Sequence, residues 1–268
     1  MPPKRGVSEF GGEVFRLACL ELYGGNGAAL YRAELPGLDA WVSCRPLHPA
    51  TSGGDLYYLS TCSNGSISRV TIADVAGHGE GISGAAEMLR NALQEYADDW
   101  DQSDLIRRLN TTLLGSWTGS TFATAFLMSH YAESGELLFT NAGHLPPLWY
   151  HAGLRDWTFL QDTTPYSKEI ADLPLGVIPG TVYTQTAVQF DPDDLLLLYT
   201  DGVTESRDDR GEQFGLAGLL EMARRLPTDS ASAAGEAFLA ALARFRGSVP
   251  AEDDETVVAL HHQHRRPA

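Results

Sequence analysis

Two apolar runs, DLYYLSTC (Asp55–Cys62) and SISRVTIADV (Ser66–Val75), are joined through SNGS, and this pair limits the possible folds more than any other feature of the chain. Both runs are rich in β-branched and aromatic residues. Asn64-Gly65 between them is a dipeptide favoured by tight hairpin turns, whose central residues need positive φ. The pattern predicts two adjacent antiparallel strands. The second ends on an aspartate, Asp74, followed by VAGHGEG and then by a helical pattern.

From Ser83 onward Met88, Leu89, Ala92, Leu93 and Tyr96 recur at helical spacing, and Leu105, Ile106, Leu109 and Leu113 repeat the pattern after the polar ADDWDQS. Strand signals then resume in TFATAFLMSHY and GELLFTNAG around the turn AESG, in PPLWY, and in TVYTQTAVQF and DLLLLYT around DPDD. Two more helical blocks, about 216–226 and 231–245, precede a closing strand, ETVVALHH. Runs of strands alternating with paired helices, with hairpins between neighbouring strands, indicate an α+β fold of antiparallel sheets covered by helices rather than a βαβ array. Residues 161–173 are polar and irregular and read as a surface loop. No internal repeat or low-complexity segment interrupts the 268 residues.

Charge and cysteine usage narrow the function. With 35 acidic residues against 19 Lys and Arg the net charge is −16, which repels a phosphate backbone and argues against nucleic acid as partner. Cys19, Cys44 and Cys62 are odd in number and have no C-x-x-C spacing, as expected of free, mostly buried thiols in a reducing compartment. Apolar runs such as LLLLY (Leu195–Tyr199) are far too short to span a membrane, so the expectation is a cytoplasmic protein without a membrane role.

Four aspartates share one context. Asp55 follows SGG at a strand start, Asp74 closes RVTIA, Asp201 closes LLLLYT before Gly202, and Asp253 lies in EDDET just ahead of a strand. Singly, Asp beside Gly is an ordinary turn former. Brought together, the four would repel unless a cation offset them, and hard divalent ions such as Mg2+ and Mn2+ take such oxygen donors.

In order, SGGDLYY, ADVAGHG, TNAGHLPP, YTDGVTES with GEQFG behind it, and DDETVV resemble the successive motifs of the SpoIIE-type serine/threonine phosphatases, a branch of the metal-dependent protein phosphatase (PPM) family. The resemblance runs from about Asp55 to Leu260. It implies one SpoIIE-type phosphatase domain over residues 1–268, with a core of about 40–262, a short N-terminal extension and a C-terminal tail. It also implies a β-sandwich of two antiparallel sheets flanked by helix pairs in α-β-β-α layers, with two Mn2+ or Mg2+ ions at one end. Carried over residue by residue, Asp74 would bridge both ions and the Val75 carbonyl would complete one of them. Asp201 and Asp253 would hold the other, and Asp55 would act in the outer shell or through water. Asp74, Asp201 and Asp253 would thus be the catalytic set, and Arg45, ahead of GGD, is the candidate for the substrate phosphate.

Three departures stand out. Tyr58 occupies a position that is often acidic in relatives, EGISGAAE replaces a shorter link into the helix, and Ala76 stands where the type 2C branch keeps a general-acid histidine. Strand alternation assigns Tyr58 to the face opposite Asp55 and Tyr57, hence to packing. His78 and His144, both in Gly-rich turns, read as loop-stabilising residues, HHQHRR (His261–Arg266) as a tail, and Ser83 has no partner pattern for a nucleophile. The resemblance implies a phosphoserine/phosphothreonine phosphatase acting on a phosphorylated anti-anti-sigma (STAS) protein in bacterial partner switching. No sensor domain is seen, so the expectation is either regulation by a separate protein or constitutive activity. The alternatives are a catalytically silent module of the same fold and a hydrolase of small phosphate esters.

Overall fold

A computed structural model describes residues 14–17, 22–62, 65–76, 80–96, 101–117, 121–161 and 172–263. His78, Asn64, Cys19, most of the predicted 161–173 loop and the last five tail residues lie outside the described residues.

Two sheets pack face to face. The first has seven strands in the spatial order β1 (Val14–Arg16), β3 (Ala29–Leu35), β4 (Leu38–Arg45), β13 (Glu255–His262), β12 (Leu195–Tyr199), β9 (Leu148–His151) and β10 (Asp156–Phe159). The second has six, β11 (Thr186–Gln189), β8 (Glu136–Ala142), β7 (Ala123–Tyr131), β6 (Ile67–Val75), β5 (Ser52–Cys62) and β2 (Leu22–Gly27). All described pairings of these strands are antiparallel except β1 with β3. The predicted hairpin is present: β5 and β6 pair without a shift from Asp55–Asp74 to Cys62–Ile67.

Period-2 alternation gives each sheet two buried faces, and three cores follow. Tyr57, Leu59, Val70 and Ile72 meet Val42, Leu196, Leu198 and Val258 between the sheets. On the outer face of the second sheet Leu56, Tyr58 and Ala73 pack on helices α1 (Glu80–Glu95) and α2 (Gln102–Ser116). On the outer face of the first, Trp41, Leu195 and Val257 pack on α4 (Gly215–Ala223) and α5 (Ala231–Arg246). At roughly 1.5–3 kcal/mol per buried large apolar side chain, these three layers supply the main favourable term of folding. The result is the α-β-β-α sandwich expected from the sequence.

Besides the four N-terminal strands β1 to β4, which the sequence patterns did not mark, three details differ from the sequence reading. α1 begins at Glu80, ahead of Ser83. Met88 is 48% exposed, because the buried stripe of α1 runs through Ala86, Leu89, Ala92, Leu93 and Tyr96 and leaves position 88 to one side. DPDD does not close a hairpin: β11 is a half-exposed edge strand on β8, whereas β12 is fully buried in the other sheet, so Asp191–Asp194 crosses between sheets. No helix among the described residues is long and apolar enough to cross a membrane.

Candidate active site

The hairpin register places Asp55 and Asp74 directly opposite one another on β5 and β6. Like charges facing across a ladder destabilise it, so this rung needs a reason. Asp55 is only 2% exposed and points between the sheets on the face it shares with Tyr57. There its Oδ2 accepts a hydrogen bond of 2.6 Å from the hydroxyl of Thr200, the residue just after β12. The Thr200 Oγ1 in turn accepts the Thr256 backbone N–H at 3.0 Å. With its hydroxyl spent in this way, Thr200 gives no side-chain cap to the one-turn helix α3 (Asp201–Thr204) that follows.

Asp201 opens α3, and Asp253 precedes β13. Both raise the pKa of Asp74, so the four predicted aspartates converge on one end of the sandwich. Burial, then the charges of Asp201, Asp253, Asp254 and Glu205, push Asp74 up to about 7, and every one of these influences acts in the same direction. Burial, then Asp74, lifts Asp55 well above the ordinary carboxylate range. Burial, then Glu205, raises Asp201. Val75 is the last residue of β6 and pairs with Ala123 at the final rung of the ladder with β7. Arg45 ends β4 opposite Glu255, exposed at the same end of its sheet.

This donor set fits hard divalent cations: it is all oxygen, partly buried and self-repelling. Among the described residues no three His, Cys, Asp or Glu side chains form a ready-made metal cage, and Asp55 is turned toward Thr200.

Several residues of the site carried no isolated sequence signal. Glu205 lies one turn after Asp201 and acts on both Asp201 and Asp74. Asp254 accepts the backbone N–H groups of Leu47 at 2.6 Å and Gly54 at 2.7 Å. The doubled acid of DDET was the available clue, because one carboxylate of an adjacent pair faces away from the other on an extended segment.

His144 is a structural clasp, as its turn context predicts. Its Nε2 lies 3.1 Å from the carbonyl of Tyr199, so that nitrogen donates, and Nδ1 accepts from the Thr124 hydroxyl at 2.7 Å. Thr124 is the β7 neighbour of Asp74, so the imidazole ties the second sheet at that rung to the end of β12. Burial lowers its pKa to about 4, keeping it neutral. Cys44 is a buried free thiol that burial, then Asp55, pushes up to about 12, which leaves it unreactive. The side chains of Cys19 and Cys62 are outside the described set.

The family model described as Stage II sporulation protein E (SpoIIE) matches residues 65–263. The chain belongs to the SpoIIE-type phosphatase family. "Phosphoserine phosphatase RsbU" of Bacillus subtilis (strain 168) is 27% identical over 144 residues, covering 53% of this chain and 41% of RsbU. The chain therefore spans about two fifths of that relative's length. The solved RsbU and RsbW domains of Rv1364c from Mycobacterium tuberculosis share the fold at a TM-score of 0.72 and 22% identity, covering 91% of this chain and 64% of that one. The catalytic domain of the serine/threonine phosphatase PstP, solved in complex with two manganese ions, shares it at 0.56 and 15%, covering 85% and 99%.

Proposed function

We propose that this SpoIIE-type domain is a metal-dependent protein phosphatase that hydrolyses phosphoserine and phosphothreonine. One observation carries the reading. Asp74 faces Asp55 across one rung while Asp201, Asp253 and Glu205 all act on it with the same sign of charge. Such a set is costly unless positive charge enters it.

Two Mn2+ or Mg2+ ions, once bound, would supply an acidified water for in-line attack and charge to stabilise the phosphoryl oxygens. The manganese complex of PstP supports two ions. Asp74, the carbonyl of Val75, Asp201 and Asp253 would hold the ions, Asp74 and Val75 from the end of β6 and Asp201 and Asp253 from beside the other sheet. Asp55, fixed by Thr200, orients the shell behind them. Arg45 is the candidate contact for the substrate phosphate. Ala76 stands where a histidine would protonate the leaving group in the type 2C branch, so no histidine supplies that proton from this position. RsbU is a phosphoserine phosphatase by name, which supports a phosphoprotein substrate. An anti-anti-sigma (STAS) protein of a cytoplasmic partner-switching pathway fits that likeness, with regulation by a separate protein.

The test is release of phosphate from a phosphoserine protein by the purified chain. Turnover is expected with Mn2+ or Mg2+ and none in excess EDTA, and Asp74→Asn should abolish it in a folded protein. Turnover undiminished by chelator would refute the metal reading. Activity on p-nitrophenyl phosphate but on no phosphoprotein would favour a small-ester hydrolase, and activity on neither a silent module.

A further inference from the structure

Asp254 is 3% exposed, and a carboxylate so deeply buried needs its lone pairs filled. Both oxygens are occupied by backbone donors from separate segments. Oδ1 accepts from Leu47, in the loop after β4, and Oδ2 accepts from Gly54, immediately before Asp55. Such charge-assisted bonds are the strong kind. Its own N–H donates to Oδ1 of Asp253 at 2.8 Å.

The space around it is equally committed. A Cβ on Gly53 would stand 2.0 Å from Oδ2 of Asp254, and a Cβ on Gly202 would stand 2.0 Å from its carbonyl oxygen. Neither glycine is required by a positive φ. Both are glycine because Asp254 fills the space where a side chain would begin. Gly53 belongs to SGGD and Gly202 to TDG, so one residue accounts for the small residue in two motifs far apart in sequence.

We propose that Asp254 is a positioning residue that sets the relative placement of Asp55, Asp201 and Asp253, and is not itself a cation ligand. It reaches Asp55 through Gly54, Asp201 through Gly202, and Asp253 through its own amide. Each oxygen already accepts a backbone N–H and the residue is 3% exposed, so its carboxylate is committed to holding these segments rather than presented to an ion. The inference rests on the metal reading above and adds to it the frame that aims the ligands.

The test measures Mn2+ binding to the full chain by calorimetry, independently of turnover. In Asp254→Asn the amide nitrogen cannot accept from either backbone donor, so one bond is lost, and Mn2+ affinity is expected to fall about 10- to 100-fold, as for other outer-shell partners. Gly53→Ala keeps every charge but displaces the carboxylate, and is expected to weaken binding in the same direction with kcat at saturating metal less affected. A Gly53→Ala protein that bound Mn2+ within about twofold of wild type would overturn the proposal. If neither variant folds, amide NMR of the wild-type chain during Mg2+ titration decides. The Leu47 and Gly54 amide protons should stay at low field at saturation, and an upfield move of either would show Asp254 turning to the ion and overturn it. A wild-type chain that bound neither ion would refute the metal reading itself, with the two amide bonds still visible.

Discussion

The His144 clasp makes a stability prediction that can be isolated from the rest of the molecule. Its ring nitrogens bridge Thr124 and the Tyr199 carbonyl across the two sheets. Removing the ring in His144→Ala leaves the buried Tyr199 carbonyl without its partner, at about 1–3 kcal/mol, frees the half-buried Thr124 hydroxyl, and adds a cavity. A loss of about 2–4 kcal/mol is expected at neutral pH. His144→Gln can donate to Tyr199 and accept from Thr124, and should cost little there. The imidazole also links stability to pH. Its pKa is lowered from 6.5 to about 4 in the folded chain, so between those values the unfolded chain holds a proton that the folded chain does not. The His144 contribution is therefore fully present above about pH 6.5 and falls as pH drops towards 4. At roughly 1.4 kcal/mol per pH unit this amounts to about 3 kcal/mol. Buried His130 is lowered similarly, so the wild-type profile alone does not assign the effect. The assay is urea unfolding of metal-free wild type and His144→Gln across this pH range, taking the difference between the curves. The variant should gain on wild type as pH falls. Parallel curves would refute the neutral, buried clasp.

Other predictions probe the acids and the cores. Asp74 has its folded pKa raised from 3.8 to about 7, so in the metal-free chain its own contribution to stability is lost as pH rises through that window, opposite in sign to the histidine contribution. Asp74→Asn should flatten that fall and raise the metal-free Tm near pH 7.5; an unchanged or lower Tm would contradict the repulsion. Tyr58 packs with the helix-side core, so Tyr58→Phe should leave turnover and metal dependence nearly as in wild type while Asp55→Ala weakens both, and equal losses in a phosphatase assay would place Tyr58 in the site. A Cβ on Gly235 of α5 would meet the Trp41 ring at 2.2 Å. Gly235→Ala should therefore destabilise by about 1–3 kcal/mol in denaturant melts despite alanine's better helix propensity, and a stabilised variant would show that the interface has slack.

What could be read from the sequence followed from periodicity and turn chemistry. The hairpin, the parity of Asp55, Tyr57 and Tyr58, and the helix pairs all come from local patterns whose period survives in three dimensions. The N-terminal strands were not legible, and β2 shows why. It reads LYGGNG, with no β-branched residue to mark it. A Cβ on Gly24 would lie 2.6 Å from the Tyr57 carbonyl, so the close approach to β5 removed the side chain that would have signalled a strand. β11 was legible as a strand but not as a member of the other sheet, because partner choice is not a local property. Likewise the four aspartates could be found from strand ends, but Thr200 and Asp254 act through contacts 145 and 200 residues distant.

The arrangement also bears on whether the fold could be kept for binding alone. Asp55 and Asp74 face each other in a ladder packed on both sides, and their raised pKa values mean that each ionisation is opposed by the folded structure. Neutralising either residue should stabilise the empty fold, and substitutions of that kind are readily available to a drifting sequence. A module without chemistry gains nothing by retaining them. A cation that binds only the folded state reverses the sign, adding RT ln(1 + [L]/Kd), about 2.7 kcal/mol at a hundredfold excess over Kd. The same carboxylates must shed their protons to bind it, so this gain should grow as pH rises from about 5 to 7.5. In the metal-free chain the contribution of Asp74 is lost over that range, while the terms from His144 and His130 are common to both forms. Divergence of the loaded and empty melting curves with pH is thus a property of the cation site itself, and curves that stayed parallel would mean that the carboxylates serve something other than a cation.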